Sequence, residues 1–264
     1  MSRVEFCTIA SGSSGNSNIV GIGGLYFLVD AGISGKRMEH AMQRMNVHSL
    51  SGIFLTHEHR DHIAGAGVMA RRYKVKLYAT PLTWRYFAYH RSLGALDATQ
   101  INIIEPYKPI VINDVTVTAF DIRHDAAQPV GYTFESAGKK IATATDLGCA
   151  TDTVRKYLTG ANILLLESNH DVIMLKNGPY HHALKERVAS SHGHLSNADA
   201  GVLLTEVAGA QLEYVFLSHL SEDNNTPVAA YDTVKRILDV NGVTIKNLLV
   251  AERHNPGVVV QLGE

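Results

Sequence analysis

At 264 residues, 45% hydrophobic and 19% charged, the chain has the composition of an ordinary globular protein with a substantial core. A net charge of −1 excludes a broad basic surface, so a polyanionic substrate would have to be held by metals, helix N-termini and a few local Arg or Lys. Two cysteines, Cys7 and Cys149, make no disulfide framework, and no stretch approaches the ~18 uninterrupted apolar residues of a bilayer-spanning helix.

In chain order, Met1-Ser2-Arg3-Val4-Glu5-Phe6 is a charged lead with no signal-peptide apolar region, so a cytoplasmic protein is expected. Residues 4–10 read as a strand, and Ala10-Ser11-Gly12-Ser13-Ser14-Gly15-Asn16-Ser17 as a glycine-serine loop. Residues 18–22 and 25–29 form a hairpin around Gly23-Gly24, ended by Asp30-Ala31-Gly32, and residues 36–45 have helical spacing. The apolar run Gly52-Ile53-Phe54-Leu55 reads as a buried strand that runs into Thr56-His57-Glu58-His59-Arg60-Asp61-His62. Three histidines and an aspartate within six residues supply imidazole and carboxylate, ligands that suit zinc, manganese or iron. In a turning loop His57 and His59 point to one side and can share an ion. Asp61 and His62, where the chain turns into a helix, can serve a second ion beside it.

Helices are expected over residues 63–73 and 81–91, with 76–79 extended between them. Strands at 101–104, 115–120, 130–135 and 140–144 make the middle richer in β structure. A helix over 151–158 and a very apolar strand over 161–167 follow. Then come helices over 180–191 and 197–208, a strand at 213–218, a helix over 227–240 and a last strand at 243–251. Strands fall in two blocks, each followed by helices that alternate with single strands. That pattern predicts an α/β protein with two sheets packed face to face and helices outside, a four-layer α/β/β/α sandwich. No linker or composition shift divides it, so a single domain over 1–264 with two similar halves is expected.

A two-metal site needs further ligands at strand ends, and three candidates stand there. His124 follows the strand at 115–120, Asp146 the strand at 140–144, and His219 the strand at 213–218. Each alone is an ordinary turn or capping residue. Their joint appearance at three successive strand ends favours a ligand role.

With H-x-H-x-D-H followed by a distal His, Asp and His, the chain resembles the metallo-β-lactamase fold superfamily over essentially its full length. The resemblance implies the α/β/β/α sandwich and a metal-dependent hydrolase with two divalent ions, zinc, manganese or iron. It implies one ion on His57, His59 and His124, the other on Asp61, His62 and His219, and Asp146 bridging. Four stretches resemble more narrowly the YycJ (WalJ) group: residues 10–17, Glu167-Ser168-Asn169-His170-Asp171, Gly193-His194-Leu195-Ser196-Asn197, and His219-Leu220-Ser221. That group is associated with nuclease activity, including 5′-exonuclease activity on DNA. Its phosphodiesterase relatives include ribonuclease Z, whose long tRNA-gripping insertion has no counterpart here.

The function so implied is a dinuclear phosphodiesterase on nucleic acid, a 5′-exonuclease on DNA, using a metal-bridging hydroxide for in-line attack. Nucleic acid is the expected partner, and a membrane is not. Asp61 and His194 are the catalytic candidates. His194, in a loop just before an amphipathic helix, is the candidate general acid for the departing alkoxide; a helix-cap neighbour or an extra metal ligand are its alternatives. Ser196 and Asn197 suit an N-cap, and with that helix's N–H groups could receive a phosphate. Ser13, Ser14 and Asn16 could cradle phosphate, or form only a tight turn. Glu167, His170 and Asp171, after a buried strand, could orient ligand imidazoles or cap the strand end. A thioester, lactam or small-molecule phosphodiester hydrolase of the same fold is the alternative enzyme, and a non-catalytic metal-binding protein the alternative class.

Overall fold

The computed structural model describes residues 3–263, so Met1 and Ser2 of the lead segment lie outside the described residues. Strands β1 (Val4–Ala10), β2 (Ser17–Ile22) and β3 (Leu25–Val29) form an antiparallel meander. Helix α1 (Gly35–Arg44) carries the chain to β4 (Gly52–Phe54), which lies parallel to β3. Helices α2 (Arg60–Ile63) and α3 (Ala66–Tyr73) lead to β5 (Leu77–Ala79), and α4 (Pro81–His90) leads to β6 (Ile101–Ile103), both parallel additions. Then β7 (Ile110–Ile112) pairs antiparallel with β8 (Val115–Asp121), and β9 (Val130–Ser136) and β10 (Lys139–Ala144) follow.

The last part alternates helices with parallel strands. Helix α5 (Asp152–Leu158) precedes β11 (Ile163–Glu167). Helices α6 (Val172–Asn177), α7 (His182–Val188) and α8 (Asn197–Val207) precede β12 (Tyr214–Ser218), and α9 (Pro227–Val240) precedes β13 (Asn247–Val250). Finally β14 (Val260–Leu262) returns to pair with β1. Two mixed sheets result, ordered β14-β1-β2-β3-β4-β5-β6 and β13-β12-β11-β10-β9-β8-β7. Among the described residues, no helix is long and apolar enough to cross a membrane.

The chain divides into two compact units: Met1–Ala119, Ala126–Lys139 and Glu252–Glu264 form the first, Phe120–Asp125 and Lys140–Ala251 the second. In the first unit, Met38 and Met42 of α1, Met69 and Ala70 of α3 and Phe87 of α4 bury Ile9, Ile19, Leu28, Ile53 and Leu77 on one face of the first sheet. The opposite face is aromatic. Phe54 meets Phe134 of β9 edge-on with centroids 5.2 Å apart, and stacks on Tyr78 at 4.5 Å. The Tyr132 hydroxyl of β9 donates to Leu55 O at 2.6 Å, so the one polar atom of that buried ring is satisfied. Helices on one face and a strand of the second sheet on the other give this unit the layering expected from the sequence. In the second unit, Val154 and Leu158 of α5, Leu203 and Leu204 of α8, and Val234 and Leu238 of α9 cover Ala142, Leu164, Leu166, Val215 and Leu217. Burying a side chain of that size stabilises by about 1.5–3 kcal/mol, enough in sum to hold the strand-end loops in fixed places.

Several expected elements need correcting. The helix expected over 63–73 is interrupted: α2 ends at Ile63 and α3 starts at Ala66, and between them Gly65 N donates to Ala31 O at 2.7 Å instead of to the preceding turn. The helix expected over 180–191 is shortened to α7, which His181 caps by accepting from Leu184 N. The strand expected from residue 243 begins only at Asn247. Three short elements, β7, α6 and β14, carry too few residues for their periodicity to register, and the sequence reading lacks them.

Candidate metal centre and active site

Because β3 and β4 are parallel neighbours, their C-terminal ends emerge side by side, and Asp30 follows one as Thr56 and His57 follow the other. Asp30 N donates to Phe54 O at 2.9 Å, extending the ladder by one bond. The Asp30 carboxylate, 1% exposed, accepts from Thr56 N at 2.9 Å and from the Thr56 hydroxyl at 2.9–3.0 Å. It also meets His62 Nδ1 at 2.8 Å. With Nδ1 held by a carboxylate, Nε2 of His62 is left as the coordinating nitrogen. His57 Nε2 and His59 Nδ1 stand 3.0 Å apart, and the His57 and His62 ring centroids 4.1 Å apart. Nitrogens so close either share a proton or face one cation.

Asn16 fixes the far side of this loop. Its amide nitrogen donates to Asp61 Oδ2 at 3.2 Å and lies 3.0 Å from His62 Nε2, and its oxygen accepts from Gly12 N at 2.8 Å. Asn16 is therefore a positioning residue for Asp61 and His62, and the expectation that its side chain presents itself to a phosphate is corrected: it is buried and engaged. Ser13 and Ser14 of the same loop are exposed. Glu58, between the two histidines, accepts from Ala127 N at 2.7 Å and ties the loop down.

In the second unit the parallel ladder β10-β11-β12 delivers Asp146, Glu167 and His219 to one edge, since each stands at or just past a C-terminal strand end. Glu167 is fully buried and saturated. Its Oε1 accepts from His219 Nδ1 at 2.8 Å and His194 Nδ1 at 2.9 Å. Its Oε2 accepts from Leu147 N at 2.7 Å and Leu195 N at 3.0 Å. Ligand atoms of Asp146, Glu167, His194 and His219 all lie within 4.8 Å of one another. Asp146 Oδ1 is 3.6 Å from His219 Nδ1, 3.7 Å from His194 Nδ1 and 3.5 Å from His124 Nε2. His124 Nδ1 meets Gly193 O at 3.2 Å, which orients its ring. Asp146 and His219 both have left-handed backbone, φ 56° and 57°, a costly conformation that persists where the surroundings impose it and that gathers at functional sites.

The titration behaviour follows from burial and charge. Burial pushes His124 below the usual histidine range, although Asp146 pulls the other way. For His194 burial also acts downward, but the Glu167 charge and hydrogen bond, with Asp146, outweigh it and the net shift is upward. Burial would raise Glu167; the His194 and His219 imidazoles hold it well below the ordinary carboxylate range. His194 is the more open of the pair that Glu167 holds, with its side chain 19% exposed against 3% for His219. The backbone of the His194 loop needs Gly193, where a Cβ would lie 2.1 Å from Arg187 O. Within each unit, imidazole nitrogens and carboxylate oxygens gathered at this spacing suit a borderline divalent cation.

Other expected site residues are placed differently. Asp171 is the N-cap of α6, accepting from Ile173 N and Met174 N at 2.9 Å, so it orients no ligand. His170 is buried and its Nδ1 has no hydrogen-bond partner among the described residues. Ser196 caps α8 by accepting from Asp199 N at 3.1 Å, and Asn197 is buried, bonded to the Ser168 hydroxyl at 2.6 Å and to Asn225 at 3.0 Å. Both side chains serve the fold rather than a phosphate. Three supporting residues escaped sequence reasoning. Asp30 orients His62, Asn169 donates to His219 O at 2.8 Å, and Asn225 donates to Ser168 O and Asn169 O at 2.9 and 3.0 Å. Asp30 alone had a readable signal, an acid directly after an apolar strand.

Residues 26–220 match the family model of the beta-lactamase superfamily domain. The chain is 38% identical over 241 residues to the exodeoxyribonuclease YycJ of Bacillus anthracis, covering 90% of each. It is 37% identical to the exodeoxyribonuclease WalJ of Streptococcus pneumoniae, covering 87% of this chain and 86% of that one. Among solved structures, the metallo-beta-lactamase fold protein YhfI from Bacillus subtilis superposes with a TM-score of 0.72 at 16% identity, over 99% of this chain and 100% of that chain. That last likeness is one of fold.

Proposed function

We propose that this chain, which belongs to the β-lactamase superfamily and is a metal-dependent hydrolase, cleaves phosphodiester bonds of nucleic acid as a 5′-exonuclease on DNA in the cytoplasm, residues 1–264 acting as one hydrolase domain. The ligand roles given above to His57, His59, Asp61 and His62 in the first unit, and to His124, Asp146 and His219 in the second, are part of this proposal. Two divalent ions would supply a nucleophile from water at neutral pH and neutralise phosphoryl oxygens.

The observation that carries the reading is Glu167 between two histidines. On His219 the carboxylate fixes the tautomer that a ligand imidazole needs. On His194 it favours the protonated ring, and that ring is open enough to hand a proton to a departing alkoxide. The names of the similar exodeoxyribonucleases support nucleic acid as substrate and DNA in particular.

The test uses end-labelled single- and double-stranded DNA and RNA, with metal stripped by chelation and zinc, manganese or iron restored. Release of short products from the 5′ end of DNA, abolished by chelation, is the expected result. His194→Ala should keep its metals while turnover falls by roughly 10²–10⁴. That loss should shrink on bis-p-nitrophenyl phosphate, whose nitrophenolate departs without a proton. Equal loss on both substrates would remove the acid role. Turnover of S-lactoylglutathione or nitrocefin without any nucleic-acid cleavage would overturn the function.

A further inference from the structure

Helices α3 and α4 join the parallel strands β4, β5 and β6, and so run the same way in the first unit. Arg71 of α3 ties them together, donating from Nη1 to Leu93 O at 2.9 Å and to Ala95 O at 3.0 Å just beyond α4. Charge is segregated along this stretch. From His62 to Leu96 the sequence has no Asp or Glu, yet it holds Arg71, Arg72, Lys74, Lys76, Arg85 and Arg91. Arg72 pairs with Glu39, whereas Lys74, Lys76, Arg85 and Arg91 are exposed and form no ion pair among the described residues. The acids that follow are engaged: Asp97 accepts from Thr99 N at 2.8 Å, and Glu105 pairs with Lys108.

Helix α4 also turns rings to solvent. Thr83 and Phe87 make its buried side, while Leu82, Tyr86 and Tyr89 follow helical spacing on the exposed one, with Tyr89 83% exposed. The His90 ring centroid lies 4.1 Å from that of Tyr86 and 4.9 Å from that of Tyr89, so the three rings brace one another. Arg85 and Arg91 flank them in sequence. Lys74 and Arg91 close their helices in the left-handed region, φ 52° and 51°, where glycine is the common residue. The helix dipole favours cations at those two ends. It does not account for Arg85 within the helix, nor for an aromatic cluster left in water.

Resting on the nucleic-acid reading above, we propose that this face is a platform for an unpaired stretch of the substrate strand. Its bases stack on Tyr86, Tyr89 and His90, and its phosphates meet Arg85, Arg91 and Lys74. Every base offers a π-face whatever the sequence, and the phosphates find cations with no acid among them to repel the strand. A second copy of this chain fits the face less well, because a two-fold contact would set the same cations against each other. Thr80, the N-cap of α4, donates to Gln128 O at 3.0 Å, and Val130 N donates to Thr56 O at 3.1 Å, so α4 starts beside the His57 loop. Ten residues then carry it about 15 Å onward. The platform thus holds nucleotides away from the bond being cut, and acts on affinity rather than on the chemical step.

The test is binding of thymidine oligomers of about ten nucleotides, phosphorothioate-linked to resist cleavage, to the metal-loaded protein, beside oligomers of equal length that lack bases. Tyr86→Ala and Tyr89→Ala should each weaken binding of the thymidine oligomer roughly tenfold and leave the abasic one unchanged. Tyr89→Phe should keep the parent affinity. Arg85→Gln and Arg91→Gln should each flatten the log-log salt dependence by roughly 0.7 for both oligomers. On cleavable strands the tyrosine variants should raise KM and leave kcat alone. Melting curves of the variants matching the parent would show that they fold. Parent-like affinity for the thymidine oligomer in both alanine variants, or an equal loss on the abasic one, would overturn the proposal. So would alanine variants that bind the oligomer normally but sediment as a smaller species than the parent, since the face would then be a contact between copies. Cleavage with KM unaltered in those variants sinks the platform and leaves the nuclease; base-dependent binding without any cleavage keeps the platform and sinks the nuclease.

Discussion

Asp30 in the first unit and Glu167 in the second both stand at the C-terminal end of a strand with a parallel neighbour, are buried to 1% or less, and meet a histidine Nδ1 at 2.8 Å. They differ in what else they hold. Asp30 gives its remaining capacity to Thr56, so it braces a loop whose functional residues are already neighbours in sequence. Glu167 accepts from two histidines and two backbone N–H groups drawn from three separate loops, and so gathers residues the chain scatters. A carboxylate that only braces can be weakened with a local effect. One that gathers cannot lose its charge without releasing several groups at once, each then buried and unsatisfied.

Glu167→Ala probes that difference most severely. It should abolish measurable turnover on DNA and destabilise the protein by about 3–5 kcal/mol, as expected when one partner of a buried charged network is removed. Urea unfolding and rates on labelled DNA check both, and a variant that unfolds normally and retains activity would reduce Glu167 to a bystander. Asp30→Asn should do less. It keeps an acceptor for Thr56 but weakens the hold on His62, so metal affinity should drop roughly 10–100-fold with the fold intact. Zinc or manganese titration reads this directly, and an effect as large as that of Glu167→Ala would erase the contrast between the two units. The smallest change is expected from Ser196→Ala, which removes a cap worth about 0.5–2 kcal/mol and should leave KM for DNA unchanged. A raised KM at unaltered stability would restore Ser196 to the phosphate-binding residues.

The same contrast explains what could be read from the chain. The loop of the first unit was legible because His57, His59, Asp61 and His62 are packed into one turn after an apolar run, where spacing alone constrains geometry. The sandwich was legible because helices and strands alternate with distinct periods, and because β4 and β11 are continuous apolar runs, as strands buried on both faces are. Glu167, an acid closing a buried apolar strand, was legible as a partner for imidazoles, whereas Asn169 and Asn225 acquire their roles only through the parallel pairing of β11 with β12, which no local pattern encodes. Ser196, read as a phosphate contact, and Asp171, read as a partner for ligand imidazoles, are residue types that also cap helices, and here each accepts from N–H groups of its own helix; Asn197 is bonded to Ser168 and Asn225 instead.

The return of β14 to β1 bears on how the chain is made. Val4, Glu5 and Phe6 pair with Leu262, Gln261 and Val260, so β1 is synthesised long before the strand that covers its outer edge. Until β14 is made, that edge of β1 presents unpaired backbone N–H and C=O groups, a template for pairing with another strand. Residues 140–251, by contrast, emerge as one run carrying their own core. Synthesis from the N-terminus therefore completes the later unit before the earlier one, and a chain cut short after β13 would leave the ribosome with an open sheet edge suited to pairing with its own kind.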